Sequence, residues 1–347
     1  MALAAIWKCE SGTDGQSSLG MVDRIPPKCV SSERGTERPF AVRRRPDVVL
    51  RSLRAKRHAP AGRSRVLIGG EHEDYYDPDF FIYNDLVVTT QGGRIEIYGY
   101  PRAIFPPTDF HTASLTDQCM VLVGNLGYPE DRRIGQTQLL AVDRPSWTVS
   151  RIDSLGTSPG WIHSHHAELQ PDNASILVRG GKIFRGEGLS LVENIDEWKL
   201  HLSGWRWERM TERRWARFEL YRKDRTRIHL FELRRALWER EMRWEGREAH
   251  ELQLQTELGG PLRLDLIPSL YRPSIQHEFL PADEHEYSVH RIRVDGVVVR
   301  YVEESFTVQV TVEGRLPAEV VEQLREELVR ALETLEQSPI VSQEIPP

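Results

Sequence analysis

Cysteine is scarce in this sequence, with only Cys9, Cys29 and Cys119 among 347 residues. The three are isolated, their number is odd, and no pair has CxxC spacing. Domains held together by disulfides and zinc sites built on cysteine both need paired or clustered cysteines. We therefore expect neither feature, and a reducing, cytoplasmic location is the simplest expectation.

Long apolar runs and an excess of basic charge are missing as well. A membrane-spanning helix needs roughly 20 consecutive apolar residues, and no run approaches that length. The apolar start at residues 2–7 is too short for the core of a signal peptide and has no basic leader. The formal net charge is -6 and the pI is about 6.1, whereas nucleic-acid-binding domains are usually basic. We expect a protein that binds neither membranes nor nucleic acids.

Common catalytic and nucleotide-binding motifs are also absent. The sequence contains no GxSxG, no P-loop, no dinucleotide fingerprint and no HExxH. Aspartate and glutamate are abundant, but no pair of them stands out from ordinary surface charge. The sequence therefore favours a protein that is not an enzyme and that uses no metal or other cofactor.

What the sequence does contain is a repeat. The similar segments VLIGG, VLVGN and LVRGG lie at residues 66–70, 121–125 and 177–181. Their first glycines, Gly69, Gly124 and Gly180, are 55 and 56 residues apart. A fixed period of this length indicates a repeat architecture in which each repeat is one supersecondary unit.

Each repeat reads as four short strands in the same order. The first strand carries a histidine, as in FHTASL and HHAEL, and His111 and His165 are 54 residues apart. RHAP at residues 57–60 takes this place in the first repeat. The second strand ends in the glycine turn, a longer loop follows, and two more strands complete the repeat. Trp147 and Trp205 align near the start of the fourth strand. Four short strands in a repeat of this length are typical of a propeller blade.

This pattern resembles the kelch repeat over residues 57–235. The residues that carry the resemblance are VLIGG…YNDLVV…RIEIY, then HTASL…MVLVGN…TQLLAVD…WTV, then HHAEL…ILVRGG…ENIDEWKLHL…WRW. The resemblance implies a β-propeller in which the glycine turns approach the crowded central channel and the tryptophans pack between neighbouring sheets. The second repeat departs from the pattern, because Asn125 replaces the second glycine.

A fourth repeat begins at residues 213–231, where Phe218 takes the place of the histidine, and then turns into a helix. Leu230, Leu233, Leu237 and Trp244 are spaced to share one face of that helix. The chain thus supplies three blades and part of a fourth. Three arrangements stay open: a distorted four-bladed ring, a ring completed by later strands, or a sheet that stays open and is covered by another surface.

The last part of the chain predicts a smaller α+β module. Two strands flank the hairpin pair Asp295-Gly296, and residues 305–314 add a third strand. A helix follows, and its apolar stripe consists of Val321, Leu324, Leu328, Leu332 and Leu335. The tail at residues 338–347 is expected to fray.

The expected fold class is therefore mainly β. A loosely ordered N-terminal arm at residues 1–57 precedes a kelch-like, partial or small β-propeller with a terminal helix at residues 58–250. The α+β module occupies residues 251–347.

The loops after the glycine turns are the first candidate for function. In a propeller these loops emerge on one face, and exposed tyrosine and arginine are typical of binding hot spots. We therefore predict a protein-binding site at Tyr75, Tyr76, Tyr128, Arg132 and Arg133. The expected function is protein interaction, as an adaptor or an immunity-type binder.

A cluster of histidines in WIHSHHAEL is the second candidate. His163 and His165 are two residues apart, so on a strand they share a face and could hold a metal. However, His165 occupies the repeat position of His111, where an imidazole can hydrogen-bond buried backbone, and this favours a structural role. The alternative function is a propeller enzyme, or a binder of carbohydrates or other small molecules, that uses the central channel and the region of His163 and His166.

Tryptophan and arginine alternate at residues 205–244, as in surfaces that stack single-stranded nucleic acid. Trp205 and Trp207 already fit the blade pattern, and interspersed glutamates neutralise the arginines. This segment therefore does not change the expectation that nucleic acid is not a partner.

Overall fold

The computed structural model describes residues 65–72, 80–89, 94–144, 146–281 and 288–346, and the backbone of Ala5–Lys8. The chain divides into two compact units, Met1–Glu212 and Arg213–Pro347. The fold is mainly β, with several antiparallel sheets, and none of the sheets formed by these residues closes on itself. Apart from Ala5–Lys8, the N-terminal arm predicted at residues 1–57 lies outside the described residues.

The first unit consists of short strands joined by turns and loops. A 3-10 turn lies at Pro129–Asp131. The strands are β1 (Ala5–Lys8), β2 (Arg65–Ile68), β3 (Glu71–His72), β4 (Phe81–Ile82), β5 (Asp85–Thr89), β6 (Ile95–Gly99), β7 (Thr112–Leu115), β8 (Cys119–Val123), β9 (Leu139–Asp143), β10 (Val149–Arg151), β11 (Trp161–His163), β12 (His166–Leu169), β13 (Ser175–Arg179), β14 (Lys182–Phe184), β15 (Val192–Glu193), β16 (Trp198–His201) and β17 (Arg206–Arg209).

Three four-stranded antiparallel sheets follow the three repeats. Sheet I has the order β1-β6-β5-β2, sheet II the order β7-β8-β9-β10, and sheet III the order β12-β13-β16-β17. The four strands predicted for the second and third repeats are confirmed in sheets II and III. In sheet I, β1 from the N-terminal arm pairs with β6 as the outermost strand, which the repeat pattern did not indicate. Two smaller sheets, β3-β4 and β11-β14-β15, extend from the loops.

Sheet II is buried on both faces. Successive side chains of β8 point to opposite faces of the sheet, and each set packs in its own apolar cluster. Met120 and Leu122 belong to one apolar cluster with side chains of sheet I. Val121 and Val123 belong to another with side chains of sheet III, including Trp207. The three sheets therefore stack face to face, with two layers of core between them.

The tryptophans aligned in the repeats occupy equivalent turns. Trp147 and Trp205 have φ of 54° and 50°, in the left-handed region, just before the last strands of sheets II and III. Both side chains pack against the apolar clusters between the sheets. The predicted role of these tryptophans in packing between neighbouring sheets is therefore confirmed.

The second unit has one six-stranded sheet with the order β19-β20-β21-β22-β18-β23. Helices cover the sheet, and a 3-10 segment lies at Leu264–Ser269. The elements are β18 (Arg217–Arg222), α1 (Leu230–Glu241), α2 (Arg247–Leu258), β19 (Glu278–Leu280), β20 (Val289–Val294), β21 (Val297–Glu303), β22 (Val308–Val312), α3 (Ala318–Glu336) and β23 (Ile340–Glu344).

The predicted hairpin and helix of this unit are present. Asp295 and Gly296 join β20 to β21 with φ of 47° and 80°, as a tight two-residue hairpin requires. All five residues of the predicted apolar stripe on α3 are buried. The stripe packs into the same apolar cluster as β20, β21 and β22.

The segment expected to begin a fourth repeat has a different partner. β18 pairs with β22 on one side and with β23 on the other, and all six of its residues are buried. It is thus an inner strand of the second unit, and the expectation of a fourth blade there was wrong. The division after Glu212 also differs from the boundary expected at residue 250. α1 ends at Glu241, so Trp244 lies beyond the helix and is exposed.

Candidate functional site: the loop face of the first unit

The first two glycine turns pack against the chain that enters the next sheet. A Cβ added to Gly69 would lie 2.4 Å from the carbonyl oxygen of Thr108, and one added to Gly124 would lie 2.4 Å from that of Ile162. The amide of the residue after each glycine donates a hydrogen bond to the same oxygen, at 2.8 and 2.9 Å. Both glycines have positive φ, so these two turns require glycine for backbone conformation and for space. These turns fix where the following loops begin.

Tyr128, in the second of these loops, holds the first and second loops together. Its hydroxyl accepts a hydrogen bond from the amide of Ile82 at 3.0 Å. The ring of Phe80 meets the Tyr128 ring edge-on, with 6.3 Å between centroids. The guanidinium of Arg102 lies 5.6 Å from the centre of the Tyr128 ring and also pairs with Asp131 at 2.7 Å. Tyr128 is therefore a half-buried anchor between loops.

Arg132 holds the second and third loops together. Its Nε donates to the carbonyl oxygen of Leu126 at 3.0 Å, and its Nη2 donates to that of Gly127 at 3.1 Å. Its guanidinium lies 5.5 Å from the centre of the Phe184 ring in the third loop. Burial lowers the pKa of Arg132. A buried Asp109 side chain supports the same loop, because its Oδ1 accepts the amide of Gly127 at 2.7 Å.

Arg133 differs from its neighbour because it is exposed. Its Nη1 donates to the carbonyl oxygens of Glu130 and Arg132 at 2.7 and 2.9 Å. No other hydrogen bond or ion pair of the Arg133 side chain is formed with the described residues.

Each of the three loops also exposes a large apolar side chain. The exposed fractions are 47% for Phe80, 48% for Phe81, 66% for Ile134 and 40% for Leu189. The second and third loops meet at Gly186, where an added Cβ would lie 3.3 Å from Ile134 and 3.9 Å from Leu189. We call this surface the loop face. It comprises Phe80, Phe81, Tyr128, Arg133, Ile134 and Leu189.

The predicted site residues have different positions on this surface. Tyr75 and Tyr76 lie outside the described residues. Tyr128 and Arg132 make contacts between loops, and Arg133 is exposed. The sequence reasoning missed the exposed apolar residues, which form a set: Phe80, Phe81, Ile134 and Leu189. Their signal was present in the sequence, since each is a large apolar residue inside a loop that is otherwise rich in charged residues, proline and glycine.

The histidine cluster is mostly buried. His111, His163 and His165 are buried, whereas His166 is exposed on β12. Burial lowers the pKa of His111 and His163 to about 4 and that of His165 to about 3. All three are thus neutral near pH 7.

The repeated histidines, His111 and His165, were expected to hydrogen-bond buried backbone, but their ring nitrogens have other surroundings. His165 Nε2 lies 2.9 Å from Thr112 Oγ1, and no described partner contacts either ring nitrogen of His111. Neither imidazole bonds to backbone within the described residues. Both act instead as packed neutral rings, and His165 fills the space beside Gly124, whose added Cβ would lie 2.6 Å from its Cε1.

The described residues contain neither a cluster suited to a metal ion nor a helix suited to a membrane. No group of three or more histidine, cysteine, aspartate or glutamate side chains within the described ranges is arranged to hold a metal ion. No helix in those ranges is long and apolar enough to cross a bilayer.

Comparisons with known proteins do not assign this chain to a family. No protein family matches its sequence, and no curated protein is significantly similar to it.

Proposed function

We propose that the first unit binds a protein partner through the loop face, on a scaffold of kelch-like propeller blades. The observation that carries this proposal is that three equivalent loops, one from each repeat, all expose a large apolar side chain. Single exposed apolar residues are normal on a protein surface, but their recurrence on repeat-equivalent loops, with Ile134 and Leu189 meeting at Gly186, favours an interaction site.

The loops are held in place before any partner binds. Tyr128 ties the second loop to the first, and Arg132 ties it to the third. Side chains and loops that are already ordered lose little conformational entropy on association. The apolar residues of the loop face can therefore act as anchors with little reorganisation.

Charge at the rim of the loop face favours a partner with an acidic group. Arg133 is exposed, and its contacts within the described residues use only Nη1. A carboxylate beside the apolar centre could pair with it, which is the usual division into apolar core and polar rim. An adaptor or an immunity-type protein would use such a surface.

The proposal can be tested by site-specific photo-crosslinking. A photoreactive amino acid would replace Ile134, Leu189 or Phe81, one at a time, in the full chain expressed in its native cells. Ile95 offers a matched control, since it is also an isoleucine of the first unit and is 45% exposed, against 66% for Ile134. We expect the three loop positions to crosslink to the same protein and position 95 not to.

A second arm measures affinity for that protein. The double variant Ile134→Ser with Leu189→Ser should weaken binding by about tenfold or more, because hot-spot side chains contribute most of the binding energy. The variant Ile95→Ser should bind within about twofold of the unmodified protein. Crosslinks to different proteins from the three loop positions, or equal affinities for both variants, would refute the proposal.

A further inference from the structure

The outer side of α1 and the turn after it expose three large side chains. Their exposed fractions are 50% for Trp238, 62% for Met242 and 57% for Trp244. The rings of Trp238 and Trp244 pack against each other, with 6.1 Å between centroids and 37° between planes. Because tryptophan is mostly buried in folded proteins, an exposed pair beside a methionine indicates an interaction surface. We call these three residues the tryptophan face.

The backbone holds the tryptophan face in place. The turn after α1 folds back on the helix, since the amide of Trp244 donates to the carbonyl oxygen of Glu239 at 2.9 Å. Arg243 has φ of 53°, in the left-handed region, and so reverses the chain between them. The opposite side of α1 is buried in the core of the second unit, at Leu230, Leu233 and Ala236. The tryptophan face is therefore formed before any partner binds.

Both signs of charge border the tryptophan face in equal number. The exposed charged residues are Arg235, Glu241, Arg243 and Glu245. Arg235 uses only Nε, for Glu239 at 2.8 Å, and the other three side chains form no hydrogen bond or ion pair with another described residue. A border with no net charge complements neither a strongly acidic nor a strongly basic surface. It suits a partner that carries the same mixture of charges.

The order of the charges along α1 suits a second copy of this chain. A two-fold axis at Trp238 would pair two α1 helices antiparallel, and each position would then face the position equally far from Trp238 on the other side. Arg235 comes three residues before Trp238, and Glu241 comes three residues after it. The axis therefore places Arg235 of each copy at the level of Glu241 in the other. The same pair of opposite charges forms twice, once on each side of the central tryptophans.

The area of the tryptophan face fits a weak dimer. Its three side chains expose on the order of 400 Å², and the bordering charged side chains extend this to about 600 Å² for each copy. Specific interfaces begin at about 1,200 Å² in total, which two such surfaces supply together. We therefore expect a dissociation constant of about 10–100 μM.

We propose that the chain forms a two-fold symmetric homodimer through the tryptophan face. The two α1 helices pack antiparallel, Trp238 of one copy lies against Trp238 of the other, and Arg235 pairs with Glu241 on each side of this contact. The proposal uses only residues of the second unit and is independent of the loop face.

The first experiment measures the oligomeric state of the full chain by sedimentation velocity at about 1 to 300 μM. We expect the mean sedimentation coefficient to rise from that of a monomer to that of a dimer. Trp238→Ser should weaken association by about tenfold or more, whereas Phe279→Ser should leave it within about twofold. Phe279 is a matched control, because it lies on β19 of the same unit and is 48% exposed. A monomer at every concentration, or equal affinities of the two variants, would overturn the proposal.

The second experiment tests the antiparallel arrangement by exchanging charges. In a homodimer, Arg235→Glu or Glu241→Arg alone places like charges opposite each other, so we expect each variant to associate about tenfold more weakly. An equimolar mixture of the two variants can form a heterodimer in which both contacts again join arginine to glutamate. We expect this mixture to associate within about threefold of the unmodified chain. A folding defect would not be repaired by mixing. A mixture that associates no more tightly than the separate variants would refute the pairing of Arg235 with Glu241.

Discussion

Gly124 shows how one backbone position holds one repeat against the next. It has φ of 77°, and an added Cβ would lie 2.4 Å from the carbonyl oxygen of Ile162 and 2.6 Å from His165 Cε1. The Ile162 oxygen cannot move without shifting the chain that enters sheet III, and the His165 ring is buried and packed. We expect Gly124→Ala to reduce the free energy of unfolding by about 3 kcal/mol or more, the sum of steric overlap and left-handed strain. Urea denaturation followed by tryptophan fluorescence measures this change.

Gly135 provides the control for that substitution. Its φ is 72°, but an added Cβ would meet nothing within 4 Å. Gly135→Ala should therefore show only the cost of the left-handed conformation, about 1 kcal/mol. If both substitutions cost the same, close approach to the next sheet is not what requires glycine at position 124.

Side-chain roles within the loops show where sequence reasoning reached its limit. Tyr128 contacts the first loop through Ile82 and Phe80, and Arg133 is exposed on the second loop. The sequence could not show that Tyr128 and Arg132 contact neighbouring loops, because those contacts join residues far apart in the chain. Exposure of Ile134 was equally hidden, since only its packing distinguishes it from a core residue.

At the scale of elements, alternation and turn residues predicted the strands well, but not their partners. Sheets II and III and the hairpin at Asp295 depend on local patterns, and the predictions for them were confirmed. β18 has a pattern similar to a first repeat strand. It pairs, however, with β22, almost 100 residues further along the chain, and with β23, more than 100 residues further along. Glu336 also shows this limit: it ends α3 but is fully buried, bound by Arg222 at 3.1 Å and by the ring of His229 at 2.9 Å. Long-range pairing of this kind leaves no periodic signal in the sequence.

The C-terminal tail is the element whose long-range pairing changes the expected structure most. It was expected to fray, but Ile340–Glu344 forms β23, which pairs with β18 through five residues. Ile340 and Ile345 are buried, and each contributes roughly 1.5–3 kcal/mol on burial. We expect removal of residues 338–347 to destabilise the second unit by several kcal/mol and to accelerate hydrogen exchange of the β18 amides that face β23 by about tenfold or more.

A shorter truncation serves as the control for the tail. Removing only residues 346–347 leaves β23 and both isoleucines in place, so exchange in β18 should not change. Unchanged exchange after the longer truncation would mean that β23 contributes little to the stability of β18.

At the scale of the whole molecule, the two units should respond to acid in different pH ranges. His111, His163 and His165 all lie in the first unit, and burial lowers their pKa from 6.5 to about 4, 4 and 3. Because the folded pKa is depressed, the unfolded state binds protons first as the pH falls. Their contribution to stability is complete above pH 6.5. It is lost as the pH falls from 6.5 towards 4 for His111 and His163 and towards 3 for His165, by an amount on the order of 2 kcal/mol for each imidazole at about pH 4.5.

Other groups modify this response without reversing it. Burial raises the pKa of Asp109 above 3.8, so acid relieves one buried charge in the first unit and opposes the histidines. One carboxyl does not offset three imidazoles. In the second unit, Glu303 has its pKa lowered from 4.5 to about 2, so the stability it contributes is present above pH 4.5 and is lost only as the pH falls from 4.5 towards 2.

Hydrogen exchange measured at pH 7.5 and pH 5 tests this difference within one sample, after correction for the intrinsic pH dependence of exchange. Amides of β8 in the first unit should lose protection, whereas those of β21 in the second unit should keep it. His111→Gln removes one titrating ring and should reduce the loss in β8 by about a third, since three rings contribute. His166→Gln, at an exposed histidine of the same unit, should leave the loss unchanged. Equal loss of protection in β8 and β21 would show that the two units do not respond to acid separately, and an unchanged loss in His111→Gln would show that the buried histidines do not determine the response.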